Sequence, residues 1–268
     1  GPAYWENCGA CDLRSDCLWC PVYSYLEHGR YDARVDYLCQ IAAETRSYKA
    51  DWRKTHLRYY QIAGLTVQVS ADFPLTDEIF DPKFEKFCVD TPSQDRIELH
   101  HISETPNLSD LHLEKEIYHQ APWAIYQQKN TYVYVGITPD YFDDEPRLRA
   151  IFYDDHARGV IYHDPDFSQT KGLGALTSFA SDQLLLARVL ADRQAFLVHA
   201  SGIRLDGGGL LFLGQSGAGK STMLKLLRGQ GEILCDDRMI VRKWPEGFRI
   251  HGTWSHGELP DVSPAEAP

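Results

Sequence analysis

The sequence predicts a mixed α/β fold, and three observations carry that expectation. Short runs rich in β-branched and aromatic residues recur between about residues 60 and 165. Further on, an apolar run leads into a glycine-rich loop and then an amphipathic run, the order of strand, loop and helix. Five of the seven cysteines crowd into the first 39 residues. These textures divide the chain into a cysteine-rich metal module (1–45), a strand-rich domain (46–165) and a nucleotide-binding domain around the glycine-rich loop (166–268). With 268 residues, of which 43% are hydrophobic, the chain can bury a sizeable core.

The elements follow in order. "YLCQIAAETRS" reads as a short helix, and "YYQIAGLTVQVSAD" alternates, with Ile62, Leu65, Val67 and Val69 as its apolar positions. "RIELHHI", "TYVYVGI", "RAIFYDD" and "GVIYHD" read as strands, the last two as a hairpin whose turn contains Gly159. "SETPNLSDLHLEKEIYHQAPW" reads as loop with a short helical turn. "SFASDQLLLARVLADRQ" predicts a helix capped by Ser181, with Leu184, Leu185 and Val189 on its apolar side. "AFLVHASGIRL" is a strand, "DGGG" a tight turn, and "LLFLG" a buried strand. After the loop and its helix come strands at "EILCDD", "RMIVRK" and "FRIHG", and an irregular tail "DVSPAEAP". Cys88 and Cys235 stand alone and read as small buried apolar side chains.

Bulk properties narrow the function. A net charge of −11 excludes the basic footprint of a general nucleic-acid or acidic-membrane binder. No apolar run reaches membrane-spanning length. The chain opens on Gly1-Pro2, which reads as a cleavage scar, and shows no charged-then-apolar signal, so the expected compartment is the cytoplasm.

The strongest motif is Gly214-Gln215-Ser216-Gly217-Ala218-Gly219-Lys220-Ser221, a full GxxxxGK[ST] pattern. Glycines let the backbone curl so that several N–H groups face phosphate oxygens, and the following helix adds its positive end. The expected nucleotide-binding set is Gly214, Ser216, Gly217, Ala218, Gly219, Lys220, Ser221 and Thr222. Lys220 supplies charge to the β- and γ-phosphates and the Ser221 hydroxyl a ligand to Mg²⁺. Asp236 and Asp237 end a short apolar run; adjacent side chains there can point differently, so one can hold Mg²⁺ while the other takes a proton. Arg238 beside them either stabilises phosphate charge or pairs with a carboxylate. "GTWSHGELPD" either lines the acceptor site or forms a polar turn. His100, His101, His156, His163, His251 and His256 show no metal-binding spacing.

The stretch "LVHASGIRLDGGGLLFLGQSGAGKS…EILCDDRMIV" resembles the catalytic core of HPr kinase/phosphorylase and its relatives, which include ATP-type phosphoenolpyruvate carboxykinase. The resemblance covers residues 180–243, and 60–165 loosely. It implies a P-loop kinase core of that type in which His199 matches the histidine on the strand before the loop. Ser216 then matches the loop serine, Lys220 and Ser221 the phosphate and metal pair, and Asp236/Asp237 the acidic pair. The implied catalytic residues are Asp236, His199 and Lys220, with Ser221 and Asp237 on Mg²⁺ and ATP as phosphate donor. The implied acceptor is a hydroxyl, a serine of a peptide or protein in a peptide-modification pathway. Two other readings stay open: a nucleotide-binding adaptor that holds a precursor peptide without catalysis, and a carboxykinase-like enzyme acting on a small metabolite.

The N-terminal spacing Cys8-x2-Cys11-x5-Cys17-x2-Cys20-x18-Cys39 suits a metal site, since thiolates two residues apart grip one centre. It resembles the final half of a SPASM domain, the iron–sulfur extension of radical SAM peptide-modifying enzymes. That resemblance implies Cys8, Cys11, Cys17 and Cys39 as ligands of a [4Fe–4S] cluster, with Cys20 outside the set; Zn²⁺ on the same thiolates is one alternative, and disulfides, which the expected cytoplasmic setting disfavours, are the other. A radical SAM enzyme of the same pathway and a second copy of the chain are the other candidate partners.

Overall fold

The computed structural model describes residues 2–104, 106–137, 146–164, 173–177 and 182–268. The expected cap Ser181 lies outside the described residues. The backbone forms two compact units, Gly1–Thr55 and His56–Pro268. Segments 46–165 and 166–268, expected as separate domains, therefore share a unit from residue 56 onward. One core explains this: Tyr60, Val67, Leu99 and Phe152 from the first segment cluster with Leu185, Val189, Ile240 and Trp254 from the second.

The first unit is built on two helices. Helix α1 (Pro21–His28) starts with proline in its first turn and stops at Gly29, whose N–H returns to the Tyr25 carbonyl. The expected short helix is α2 (Asp36–His56), 21 residues long and running well past Ser47. Asp16 ties the segment before α1 to α2, accepting from Arg46 at 3.1 Å and Lys49 at 2.8 Å. Lys49, then Arg46, hold its carboxyl down at about 2. Among the described residues, the buried apolar side chains of this unit are Val35, Leu38 and Ala42. That core is small for a 55-residue body.

The second unit carries two sheets. In the larger, strands run in the order β1-β2-β3-β8-β7-β6-β5-β4. These are β1 (Leu57–Ile62), β2 (Leu65–Ala71), β3 (Arg96–Ile102), β4 (Lys115–Gln120), β5 (Trp123–Gln128), β6 (Thr131–Gly136), β7 (Arg147–Tyr153) and β8 (Arg158–Tyr162). The β2–β3 and β3–β8 pairs are parallel and the remainder antiparallel. The alternating run 59–72 is two strands, because Ala63 (φ 48°) and Gly64 (φ 78°) make a two-residue turn that folds β2 back on β1. The segment expected to be loop contains β4, an edge strand whose six residues are all exposed.

Gly159 is not in the β7–β8 turn. It lies within β8 opposite Phe152, and the turn consists of Asp154 to Ala157, with positive φ at Asp154, Asp155 and His156. A Cβ at 159 would sit 2.6 Å from the Phe152 ring and 3.1 Å from Leu99. Space, not turn geometry, requires glycine here. Gly159→Ala should therefore destabilise the second unit by about 1–3 kcal/mol, read from the midpoint of chemical denaturation.

Helix α3 (Gln183–Ala191) buries Leu185, Leu186, Val189 and Leu190. The smaller sheet follows the order β10-β9-β12-β13-β14, with β11 also on β9. Its strands are β9 (Ala195–Leu205), β10 (Gly208–Leu213), β11 (Glu232–Cys235), β12 (Arg238–Trp244), β13 (Gly247–His251) and β14 (Glu266–Ala267). β10, expected to be buried, has four half-buried and two exposed residues, since it is the sheet's edge. Helix α4 (Lys220–Leu227) follows it and buries Leu224 against Ile203, Ile233 and Leu259. No described helix is long and apolar enough to cross a membrane.

Candidate functional site

One level of the smaller sheet gathers the sequence motifs. Ala200 on β9 pairs with Leu213, the last residue of β10, so the glycine-rich loop starts beside it. On its other flank, β9 changes neighbours: Gly202 pairs with Cys235 at the end of β11, and His199 with Arg238 at the start of β12. Asp236 and Asp237 fill the gap between those two strands. The Ala200 N–H donates to the Asp237 carbonyl at 3.1 Å and the Ser201 hydroxyl to the Asp236 carbonyl at 3.2 Å. Strand pairing thus brings His199, the loop and the acidic pair together.

The loop itself is exposed from Gly214 to Ala218. Gly217 (φ 82°) and Gly219 (φ 88°) take left-handed conformations that side-chain-bearing residues resist. Lys220 opens helix α4 and is buried, its ammonium donating to the carbonyls of Gly214 (2.8 Å) and Gln215 (3.1 Å). The lysine is thereby folded back across the mouth of its own loop. Ser221 is half-buried in the first turn of α4, and Thr222 beside it is exposed.

The two aspartates have different surroundings. Asp236 is 4% exposed, and its carboxylate accepts the N–H groups of Gly257 and Leu259, the latter at 2.9 Å. Asp237 is half-buried: Oδ1 accepts from Arg238 at 3.1 Å and lies 3.8 Å from His199 Nε2, and Oδ2 accepts the Ser255 hydroxyl at 2.9 Å. His199 is exposed. The site therefore presents one carboxylate and one imidazole, while the second carboxylate faces inward. Of the two readings of Arg238, the carboxylate pair is the one observed.

The segment 252–263, whose first ten residues read from sequence as either acceptor-site lining or polar turn, straps these parts together, a bracing role that neither reading included. Trp254 is buried and donates to Asp182 at 3.0 Å; Asp182 also accepts the N–H groups of Leu176 (2.9 Å) and Thr177 (2.7 Å). Burial pushes the Asp182 carboxyl up to about 6 against the pull of these donors. Cys235 is buried as expected and touches the strap through the Ser255 carbonyl. Cys88 is exposed, because it follows the short 3₁₀ helix Pro82–Phe87 at the surface, where Phe84 and Phe87 supply the burial. His101 and His163 are buried and hydrogen-bonded to each other at 2.8 Å, away from any motif.

In the first unit, Cys8, Cys11, Cys17 and Cys39 line one cavity of about 260 Å³, with Tyr4, Arg14 and Trp19 in its wall. Burial, then the neighbouring Cys39, Cys17 and Cys11, push the Cys8 thiol up. Cys20 directly precedes α1, without a side-chain capping bond, and is not part of the cavity wall. Among the described residues, no three His, Cys, Asp or Glu side chains converge closely enough to hold a single metal ion. The four thiols ring a space instead.

Comparison with protein-family models, curated proteins and solved structures yields no match to the chain.

Proposed function

We propose that the second unit is an ATP- and Mg²⁺-dependent kinase that transfers the γ-phosphate to a hydroxyl, a serine on a peptide or protein. The observation that carries this reading is the meeting of three motifs at the level of Ala200: phosphate loop, His199 and Asp237. The exposed loop amides and Lys220 bind the phosphates once the ammonium leaves the carbonyls of Gly214 and Gln215. The Ser221 hydroxyl and the Asp237 carboxylate supply hard oxygen donors suited to Mg²⁺, which would neutralise charge on the transferring phosphoryl group.

His199 takes the proton. As the acceptor oxygen forms its bond to the γ-phosphorus, the bond to the β,γ-bridging oxygen breaks and ADP departs with that electron pair. The acceptor's proton passes to the imidazole, and Asp237 at 3.8 Å balances the resulting charge. Asp236 holds the strap and does not meet the substrate, which reverses the proton-handling role assigned to it from sequence. The serine-peptide class of the acceptor rests on the resemblance described above.

In the first unit we propose an iron–sulfur cluster held by Cys8, Cys11, Cys17 and Cys39. A ring of thiols around a cavity of about 260 Å³ suits a polynuclear cluster better than one Zn²⁺, which draws four sulfurs to about 2.3 Å of a single point.

The kinase reading is tested by incubating the full chain with Mg·ATP and serine-containing peptides and weighing the products by mass spectrometry. A gain of one phosphoryl group, lowered at least about 100-fold in Lys220→Ala, is the expected result. Absence of transfer, or transfer that persists in Lys220→Ala, would overturn it.

A further inference from the structure

One short segment supplies both hydrogen bonds to the Asp236 carboxylate and one to that of Asp237. Ser255 donates to Asp237 Oδ2 at 2.9 Å and is itself 4% exposed. The Ser255 N–H is held by the Thr253 hydroxyl at 3.2 Å, and that hydroxyl in turn bonds the Arg238 carbonyl. Gly257 and Leu259 offer their N–H groups to Asp236. The same segment grips the helix behind the phosphate loop: Glu258 pairs with Lys225 at 2.7 Å, Asp261 with Arg228 at 3.1 Å, and Leu259 is buried against Leu224. Its far end is pinned where Lys86 donates to the Val262 carbonyl at 3.0 Å and Ser263 N–H to the Leu234 carbonyl at 2.9 Å. Segment 252–263 therefore touches both halves of the site, the nucleotide helix on one side and the carboxylates on the other.

We propose that this strap fixes the position of Asp237 relative to the phosphate loop, with Ser255 as the positioning residue. The inference rests on the nucleotide-binding reading above and deepens it. A carboxylate with two oxygens can rotate about its Cβ–Cγ bond. Arg238, with a long flexible stem, and the exposed His199 restrain it only loosely. The Ser255 hydroxyl is short, buried and itself braced, so it sets which oxygen turns toward the metal and the transferring phosphate. Such bonds between a neutral donor and a charged acceptor are among the stronger ones. Ser255 does not itself touch the nucleotide; it acts through Asp237.

The test is the affinity of the full chain for ATP, measured by titration calorimetry with Mg²⁺ and again in EDTA, for wild type, Ser255→Ala and Ser255→Thr. The expected outcome is an about tenfold loss of affinity in Ser255→Ala with Mg²⁺ only. Affinity in EDTA stays at the wild-type value, and Ser255→Thr, which keeps the hydroxyl, returns most of the loss. A general loss of packing would weaken both titrations and would not be rescued by threonine. Mg²⁺-dependent affinity within twofold of wild type in Ser255→Ala overturns the positioning role and leaves the kinase reading standing. Wild type that binds ATP no better with Mg²⁺ than in EDTA overturns both.

Discussion

Asp237→Asn is expected to lower phosphoryl transfer by about 10³-fold with little change in thermal stability, whereas Asp236→Ala is expected to lower stability first. The two carboxylates are adjacent in sequence, yet their surroundings make opposite demands. Asp237 is half-buried and its neighbours are side chains: Arg238, Ser255 and His199. Asparagine keeps its size and one carbonyl oxygen, so the packing survives while the charge that faces the imidazole, and would face the proposed Mg²⁺, is lost. Asp236 is 4% exposed and serves two backbone amides, those of Gly257 and Leu259. Alanine there strands the buried Leu259 donor inside the protein, at about 1–3 kcal/mol, and frees the exposed Gly257 N–H to solvent. For a body of about 200 residues that corresponds to a melting point lower by roughly 2–12 °C. Calorimetric melting and the phosphopeptide assay, run on both variants, separate the roles. Equal loss of transfer in Asp236→Asn and Asp237→Asn at unchanged melting temperature would return Asp236 to the reacting groups.

The contrast between these neighbours marks how far the sequence could be read. The glycine-rich loop and the helix after it were legible because the motif's spacing fixes them: Gly217 and Gly219 where the backbone turns left-handed, lysine and serine opening the helix. Strand β9 was legible to the residue, since its β-branched and apolar run is bounded by glutamine and a Asp-Gly turn. Strand β4 was not, because all six of its residues are exposed and an edge strand with no buried face leaves no alternation to detect. The inward turn of Asp236 was hidden for another reason. Its partners are backbone amides 21 and 23 residues later, and a backbone amide has no residue identity to give it away. Gly159 shows the same limit, its partner being a ring that pairing in the sheet brings overhead. What chemistry dictates through side-chain type can be read from a sequence. What tertiary placement dictates through backbone or space cannot.

The cysteine unit is where exchange of a single atom should have the largest structural effect. Cys39→Ser is expected to abolish iron loading after anaerobic reconstitution with ferrous iron and sulfide, and with it most of the folded structure of residues 2–55. Val35, Leu38 and Ala42 are the buried apolar side chains described there, far fewer than a body of this size needs to stand alone. Metal bonds that form only in the folded chain are folding energy, and in small metal domains they amount to about 10 kcal/mol or more. Cys39 lies on α2, whereas Cys8, Cys11 and Cys17 precede α1, so ligation by Cys39 would close the longest loop in the proposed site. Cys20→Ser is the matched control. It removes a thiol from the same unit but leaves the cavity wall intact, so iron content and helical signal should stay at wild-type levels. The second unit has its own core and should melt unchanged in both variants. Iron content equal in Cys39→Ser and wild type would remove Cys39 from the ligand set, and parallel losses in Cys20→Ser would place the cluster outside the cavity.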